Sequence, residues 1–162
     1  MEELMKLCND LKIEVLEADL SKRIDGLYCD GCICINRSKT ETEKKCILAE
    51  EIGHALTSVG DILDKKNINC SKLEAKAMAW AYEKLISLDH IIAAGAQGIR
   101  NRFQLAEFLE VTEDFMEGAI AYYKSKYGVS IYYKGYLIGF EPLAITRIAV
   151  DDNEKVYVAE ED

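Results

Sequence analysis

Two carboxylates and an imidazole fall within five residues, at Glu50-Glu51-Ile52-Gly53-His54. Glu50 and His54 are four apart, so on a helix they share a face. Glu51 lies about 100° round from Glu50. The spacing is that of H-E-x-x-H, in which the first and last residues hold zinc and the Glu after the first acts as general base. Here the first ligand position carries a carboxylate, whose oxygen binds Zn²⁺ at about the same distance as a ring nitrogen. The chemistry would be metal-assisted hydrolysis, with Glu50 and His54 as ligands and Glu51 as base. The other reading is an acidic helix with solvated carboxylates and one partly buried His, and the five residues leave both open.

The element that must position them is a helix. Thr40 with Glu43 three residues on is a capping box, so a helix should begin there and run to about Ser58. Leu48, Ile52, Ala55 and Val59 recur at helical spacing as one apolar stripe. The opposite face holds Glu50 and His54 among Cys46, Ile47, Gly53 and Thr57 rather than among Lys and Arg. Gly53 in mid-helix costs about 1 kcal/mol relative to Ala, which points to a close neighbour. A helix covered on both sides with its charges inside needs a counter-charge or a metal.

A second helix is expected from Ser71 to about Ala94. Within it Ser71-x-x-Glu74 can be another capping box. Glu74 also falls in line with Met78, Ala81, Leu85 and Leu88, where a carboxylate on an inner face would want a cation.

CILAEEIGHALTSVGDI, together with a strand-rich lead-in ending in I-x-I-N and a later E-A-x-A-x-x-W-A helix, resembles the ImmA/IrrE family of metallopeptidases. The family's usual segment is L-A-H-E-[LI]-G-H; the chain reads L-A-E-E-I-G-H at Leu48–His54. The resemblance covers roughly Asp10 to Lys126. It implies a zincin-like α+β fold with a small N-terminal sheet beside the active-site helix, an edge strand able to align an extended peptide, and a third ligand from a Glu on the next helix. That Glu is Glu74, with Asp61 and Asp64 as alternatives. It further implies a zinc-dependent endopeptidase, with Mn²⁺ or Fe²⁺ more readily admitted because two carboxylates make a harder site. The implied origin is a phage or mobile element, and the implied protein substrate a helix-turn-helix repressor. A catalytically weak relative that binds and sequesters the repressor is the alternative. His90, late in the second helix, reads as structural or surface.

Length and composition agree with one soluble globular chain: 162 residues, 49% hydrophobic and 30% charged. No apolar run reaches the ~20 residues that span a bilayer, and the acidic, interrupted N-terminus is unlike a signal peptide. A cytoplasmic location is expected. The net charge of −9 includes −5 in Asp151–Asp162 alone, and no cationic surface suggests nucleic acid. Six cysteines should then be mostly reduced. Cys29-x-x-Cys32-x-Cys34 flanks an Asp30-Gly31 turn signal without a second pair at zinc-ribbon spacing. We read these three as small apolar strand residues in preference to a metal knuckle or redox pair.

Around this centre we expect a leading helix over Met1–Lys12, a strand in Ile13–Leu20, a hairpin over Arg23–Asn36, and a polar loop over Gly60–Asn69. Phe103–Tyr127 should form two helices. Their outline is that of a DNA-binding pair, but Glu113, Asp114 and Glu117 would face phosphates. Val129–Phe140 should be a hairpin about Lys134-Gly135, and Leu143–Val150 with Lys155–Ala159 a second one. Tyr132, Tyr133, Tyr136 and Phe140 are expected to pack. A metallopeptidase-like core over 1–128 and a β-rich appendage with an acidic tail over 129–162 is the expected division.

Overall fold

The helix that carries Glu50 and His54 starts where local chemistry asks for it. In the computed structural model, which describes residues 1–58, 70–150 and 156–158, Thr40 closes its capping box: its backbone N–H donates to Glu43 Oε2 at 2.8 Å, and Glu43 N–H donates to Thr40 Oγ1 at 3.2 Å. Helix α2 (Glu41–Ser58) follows directly. Before it come α1 (Glu2–Asp10) and strands β1 (Glu14–Ala18), β2 (Gly26–Cys29) and β3 (Cys32–Asn36); after it comes α3 (Cys70–Leu85). Packing gathers these into one compact unit, Met1–Leu85, and the remainder into a second, Ile86–Asp162. The chain is thus α+β. The Gly60–Asn69 loop, with Asp61 and Asp64, lies outside the described residues.

The first unit is a three-stranded sheet laid against α2. The strand order is β1-β3-β2, with β1 parallel and β2 antiparallel to the central β3. Asp30 and Gly31, at φ of 47° and 80°, form the two-residue turn whose twist matches the strands it joins. Ile33 and Ile35 turn inward and are buried, while Cys29 is exposed and Cys32 and Cys34 are half-buried on the other face. The three cysteines are thus strand residues, as expected, while the isoleucines fill the core. Asn36 ends β3 buried, its amide donating to the carbonyls of Leu20, Ser21 and Ile24 at 3.4, 3.3 and 3.0 Å, which shapes the loop ahead of β2. Lys44 on α2 reaches Glu17 of β1 at 2.9 Å and Glu41 at 3.0 Å, tying strand to helix.

Helix α2 is buried on more than one side, as its mixed face suggested: Ile47, Leu48, Ala49, Glu51, Ile52, Gly53 and Ala55 are all inaccessible. Helix α3 packs against it through Ala77 and Ala81, both fully buried. The backbones nearly touch. A Cβ on Gly53 would overlap the Ala77 carbonyl oxygen and lie 3.0 Å from its carbon.

The expected single helix from Ser71 to Ala94 is two. It breaks after Leu85, and Ser87, extended at φ −66° and ψ 157°, caps α4 (Leu88–Ala96). Ser87 Oγ accepts from His90 N–H at 3.1 Å, while His90 Nδ1 accepts from Ser87 N–H at 3.4 Å. His90 is thus a capping residue. The second unit continues with α5 (Arg102–Leu109) and α6 (Glu113–Tyr127), then a sheet in the order β4 (Ser130–Tyr133), β5 (Tyr136–Phe140), β6 (Leu143–Val150), β7 (Val156–Val158). Its aromatic packing is not the expected strand cluster. Phe140 instead stacks with Tyr123 and Tyr127 of α6, at 5.6 and 6.4 Å between ring centroids, while Tyr132 is exposed. The Tyr123 hydroxyl donates to the Ile86 carbonyl at 2.6 Å. No helix among the described residues is long and apolar enough to cross a membrane.

Replacing Gly53 tests the helix contact. Ala would gain about 1 kcal/mol of helix propensity, but its methyl would meet a peptide group that cannot rotate away. Overpacking of that kind costs about 1–3 kcal/mol. Gly53→Ala should therefore lower the stability measured by urea denaturation, whereas a glycine held only by chance would show the propensity gain.

Candidate metal centre

Both helices contribute to one cluster. Glu50 and His54 come from successive turns of α2, and Glu74 comes from the first turns of α3. His54 Nε2 lies 3.5 Å from Glu74 Oε2. One ligand atom each from Glu50, His54 and Glu74 can be chosen so that all lie within 4.8 Å of one another. No other such group of three occurs among the described residues. Four ligands at the ~2.0–2.2 Å typical of zinc stand about 3.3–3.6 Å apart on a tetrahedron. The His54–Glu74 separation matches that edge, and two carboxylates with one imidazole are chemically suited to a divalent ion.

Glu74 differs from the inner-face carboxylate that its sequence register suggested. Its side chain is 55% exposed, against 27% for His54. Ser71 already lies inside α3, so it does not stand ahead of the helix as an N-cap, and the Glu74 carboxylate turns toward His54 instead. Glu74 sits at the rim of the helix pair; Ala77 and Ala81 form its floor.

Among the described residues Glu51 is the most enclosed carboxylate, 8% exposed. Its carboxylate accepts a hydrogen bond from the Tyr28 backbone N–H of β2. That strand comes close because residue 26 is glycine: a Cβ there would lie 2.9 Å from Glu51 Oε1. Burial raises the Glu51 pKa, and the Glu50 charge raises it further, against the opposing effects of His54 and Tyr28. Burial also raises Glu50, followed by repulsion from Glu74, with Asp25 adding to it and His54 opposing.

Sequence reasoning missed three contributors. Gly26 and the Tyr28 N–H hold Glu51, and only the Gly in I-D-G-L-Y hinted at a close approach. Tyr82, two turns beyond Glu74 on α3, feels both Glu50 and Glu74: its phenol pKa is raised, first by burial and then by those charges.

A helix-borne Glu-Glu-x-x-His, faced by a carboxylate from the next helix and flanked by a small sheet, defines a metallopeptidase-like domain. The chain belongs to the ImmA/IrrE family: residues 8–120 match the IrrE N-terminal-like domain (Peptidase_M78). No curated protein and no solved structure matches it.

The raised proton affinity of Glu50, set first by burial and then by repulsion from Glu74, has a thermodynamic consequence. A folded-state pKa above the unfolded value gives stability that is full below the ordinary Glu range and is lost as pH rises through the raised value. Glu50→Gln should therefore raise the melting temperature of chelator-treated protein at neutral pH, with the advantage vanishing on acidification below about pH 4. Adding Zn²⁺ should stabilise the parent more than the variant. Thermal melts across pH, with and without metal, measure all three; a variant no more stable than the metal-free parent at neutral pH would contradict the electrostatics.

Proposed function

We propose that this protein is a metal-dependent endopeptidase of a phage or mobile element, acting in the cytoplasm on a helix-turn-helix repressor. The carrying observation is the convergence of Glu50, His54 and Glu74 beside the buried Glu51. The family supports a peptidase and hence a protein substrate. The repressor and the mobile origin rest on the family resemblance of the sequence. In this reading residues 1–128 are the catalytic core and 129–162 an appendage to it.

Glu50, His54 and Glu74 would hold the ion, with Zn²⁺ first and Mn²⁺ or Fe²⁺ as alternatives for a set richer in carboxylate. Bound there, it supplies Lewis acidity toward a peptide carbonyl and acidifies a water toward a pKa of ~7. Glu51 would take a proton from the attacking water and return it to the leaving amine. The Tyr28 N–H fixes the carboxylate in place. An edge strand of this sheet could align an extended substrate segment, reading main chain more than sequence. His54 must be neutral to act as ligand, so occupancy falls in acid.

The second reading is a protein of the same fold that sequesters the repressor without cutting it. Glu50 at the first ligand position favours it, because two carboxylates weaken the ion's Lewis acidity. Retention of a buried, hydrogen-bonded Glu51 favours hydrolysis.

Elemental analysis of the purified protein should find about one Zn, Mn or Fe per chain, lost in Glu74→Ala. Absence of stoichiometric metal near neutral pH, without chelator, would remove Glu50 as a working ligand. Glu51→Gln should keep the metal and abolish cleavage of a co-expressed cognate repressor. If derepression survives that substitution, sequestration is the function.

A further inference from the structure

The outer face of the first sheet carries three thiols with no role in the metal centre. Cys32 and Cys34 alternate with the buried Ile33 and Ile35 along β3, and Cys29 on β2 stands in register with Cys32. All three are free thiols, and Cys29 is exposed. The ladder fixes which of them can meet. Asn36 N–H donates to the Asp25 carbonyl at 2.9 Å, so Asp25/Asn36 is a hydrogen-bonded pair. Such pairs recur at every second position in an antiparallel ladder, which makes Leu27/Cys34 and Cys29/Cys32 bonded pairs too. Their Cα atoms stand about 5.5 Å apart, within the modal range of a disulfide, while the Cβ atoms of a bonded pair, about 5.5 Å apart, must close by about 1 Å for the bridge to form. The other combinations fail. Cys32 and Cys34 are two apart on one strand, about 6.6 Å, with parallel Cβ directions. Cys29 and Cys34 are diagonal neighbours, about 7–8 Å apart.

We propose that Cys29 and Cys32 form a thiol–disulfide exchange site, converted by small-molecule disulfides of the oxidised glutathione class into a cross-strand bridge around the Asp30-Gly31 turn. Cys29 attacks first. It is the exposed member, whereas burial, then Glu14 and the neighbouring thiols, raise the Cys32 pKa and suppress its thiolate. The Cys29 thiolate attacks one sulfur of the small disulfide, forming a mixed disulfide and releasing one small thiolate. Cys32 then attacks the Cys29 sulfur and expels the second. The pair is oxidised by two electrons, the small disulfide is reduced to two thiols, and the two protons lost by the cysteines end on those thiols. The bridge would close at the end of β2, next to the Tyr28 that holds Glu51.

Trypsin cleavage after Arg23 and Arg37 releases all three cysteines on one peptide, separate from the buried Cys8 and Cys46. The full chain, treated with oxidised glutathione, quenched in acid, alkylated and digested, should yield that peptide two hydrogens lighter, with only Cys34 alkylated. Its fragmentation spectrum should lack backbone cleavage between Cys29 and Cys32, which locates the bridge in the parent without any substitution. Cys34→Ser should retain the bridge, and Cys29→Ser and Cys32→Ser should each abolish it. Three alkylated thiols, mixed disulfides alone at saturating oxidised glutathione, or a bridge that survives Cys29→Ser would overturn the proposal.

Discussion

The contact between Gly53 and the Ala77 peptide group sets the separation of α2 and α3, and the metal centre inherits that separation. His54 follows Gly53 directly, and Glu74 lies one helical turn before Ala77. Two helices held apart by even a methyl group would carry these side chains away from the 3.5 Å at which they now stand. A mid-helix glycine gives up about 1 kcal/mol of propensity. The interlocked floor of Ile52, Ala77 and Ala81, all fully buried, offsets it through close packing. One small residue thus serves the core and the site together.

That geometry crowds like charges. Glu50, Glu51 and Glu74 face a single imidazole, and Asp25 adds to the negative field at Glu50. Without a cation, burial and then mutual repulsion raise the proton affinity of both α2 carboxylates. A divalent ion bound there would invert this logic: the same carboxylates would become its ligands, and desolvation would strengthen the attraction instead of opposing it. The sheet supplies what the helices cannot. Gly26 admits Glu51 beside β2, and the Tyr28 N–H gives that buried carboxylate a partner.

Much of this was legible in the residues, for identifiable reasons. Capping chemistry is local, so Thr40 and Glu43 marked the start of α2, and Asp30-Gly31 marked the β2–β3 turn. The four-residue spacing of Glu50 and His54 fixed their common face. What escaped was non-local. Helical periodicity ran through Leu85 and Leu88 and hid the break that Ser87 and His90 make by capping one another. The alternation C-I-C-I states that two faces exist but not which one is covered; the isoleucines took the inside. Glu74 aligned with apolar residues on α3, yet it stands at the rim, because α2 covers only the part of that face centred on Ala77 and Ala81. Tyr82 and Gly26 had no pattern of their own and became meaningful only through neighbours distant in sequence.

In the proposed site the carboxylate at the first ligand position has two effects. As a ligand it would donate more negative charge than imidazole, so the ion would polarise a carbonyl less strongly. As a neighbour in the metal-free chain it adds to the burial that raises the proton affinity of Glu51, and a bound cation would oppose that addition. The electrophile would thereby be weakened while the carboxylate beside it is kept, buried and hydrogen-bonded to the Tyr28 N–H. Glu50 in place of His removes none of the parts that hydrolysis needs, so in this reading the protonation state of Glu51, more than the identity of residue 50, would separate a hydrolase from a binding protein on this fold.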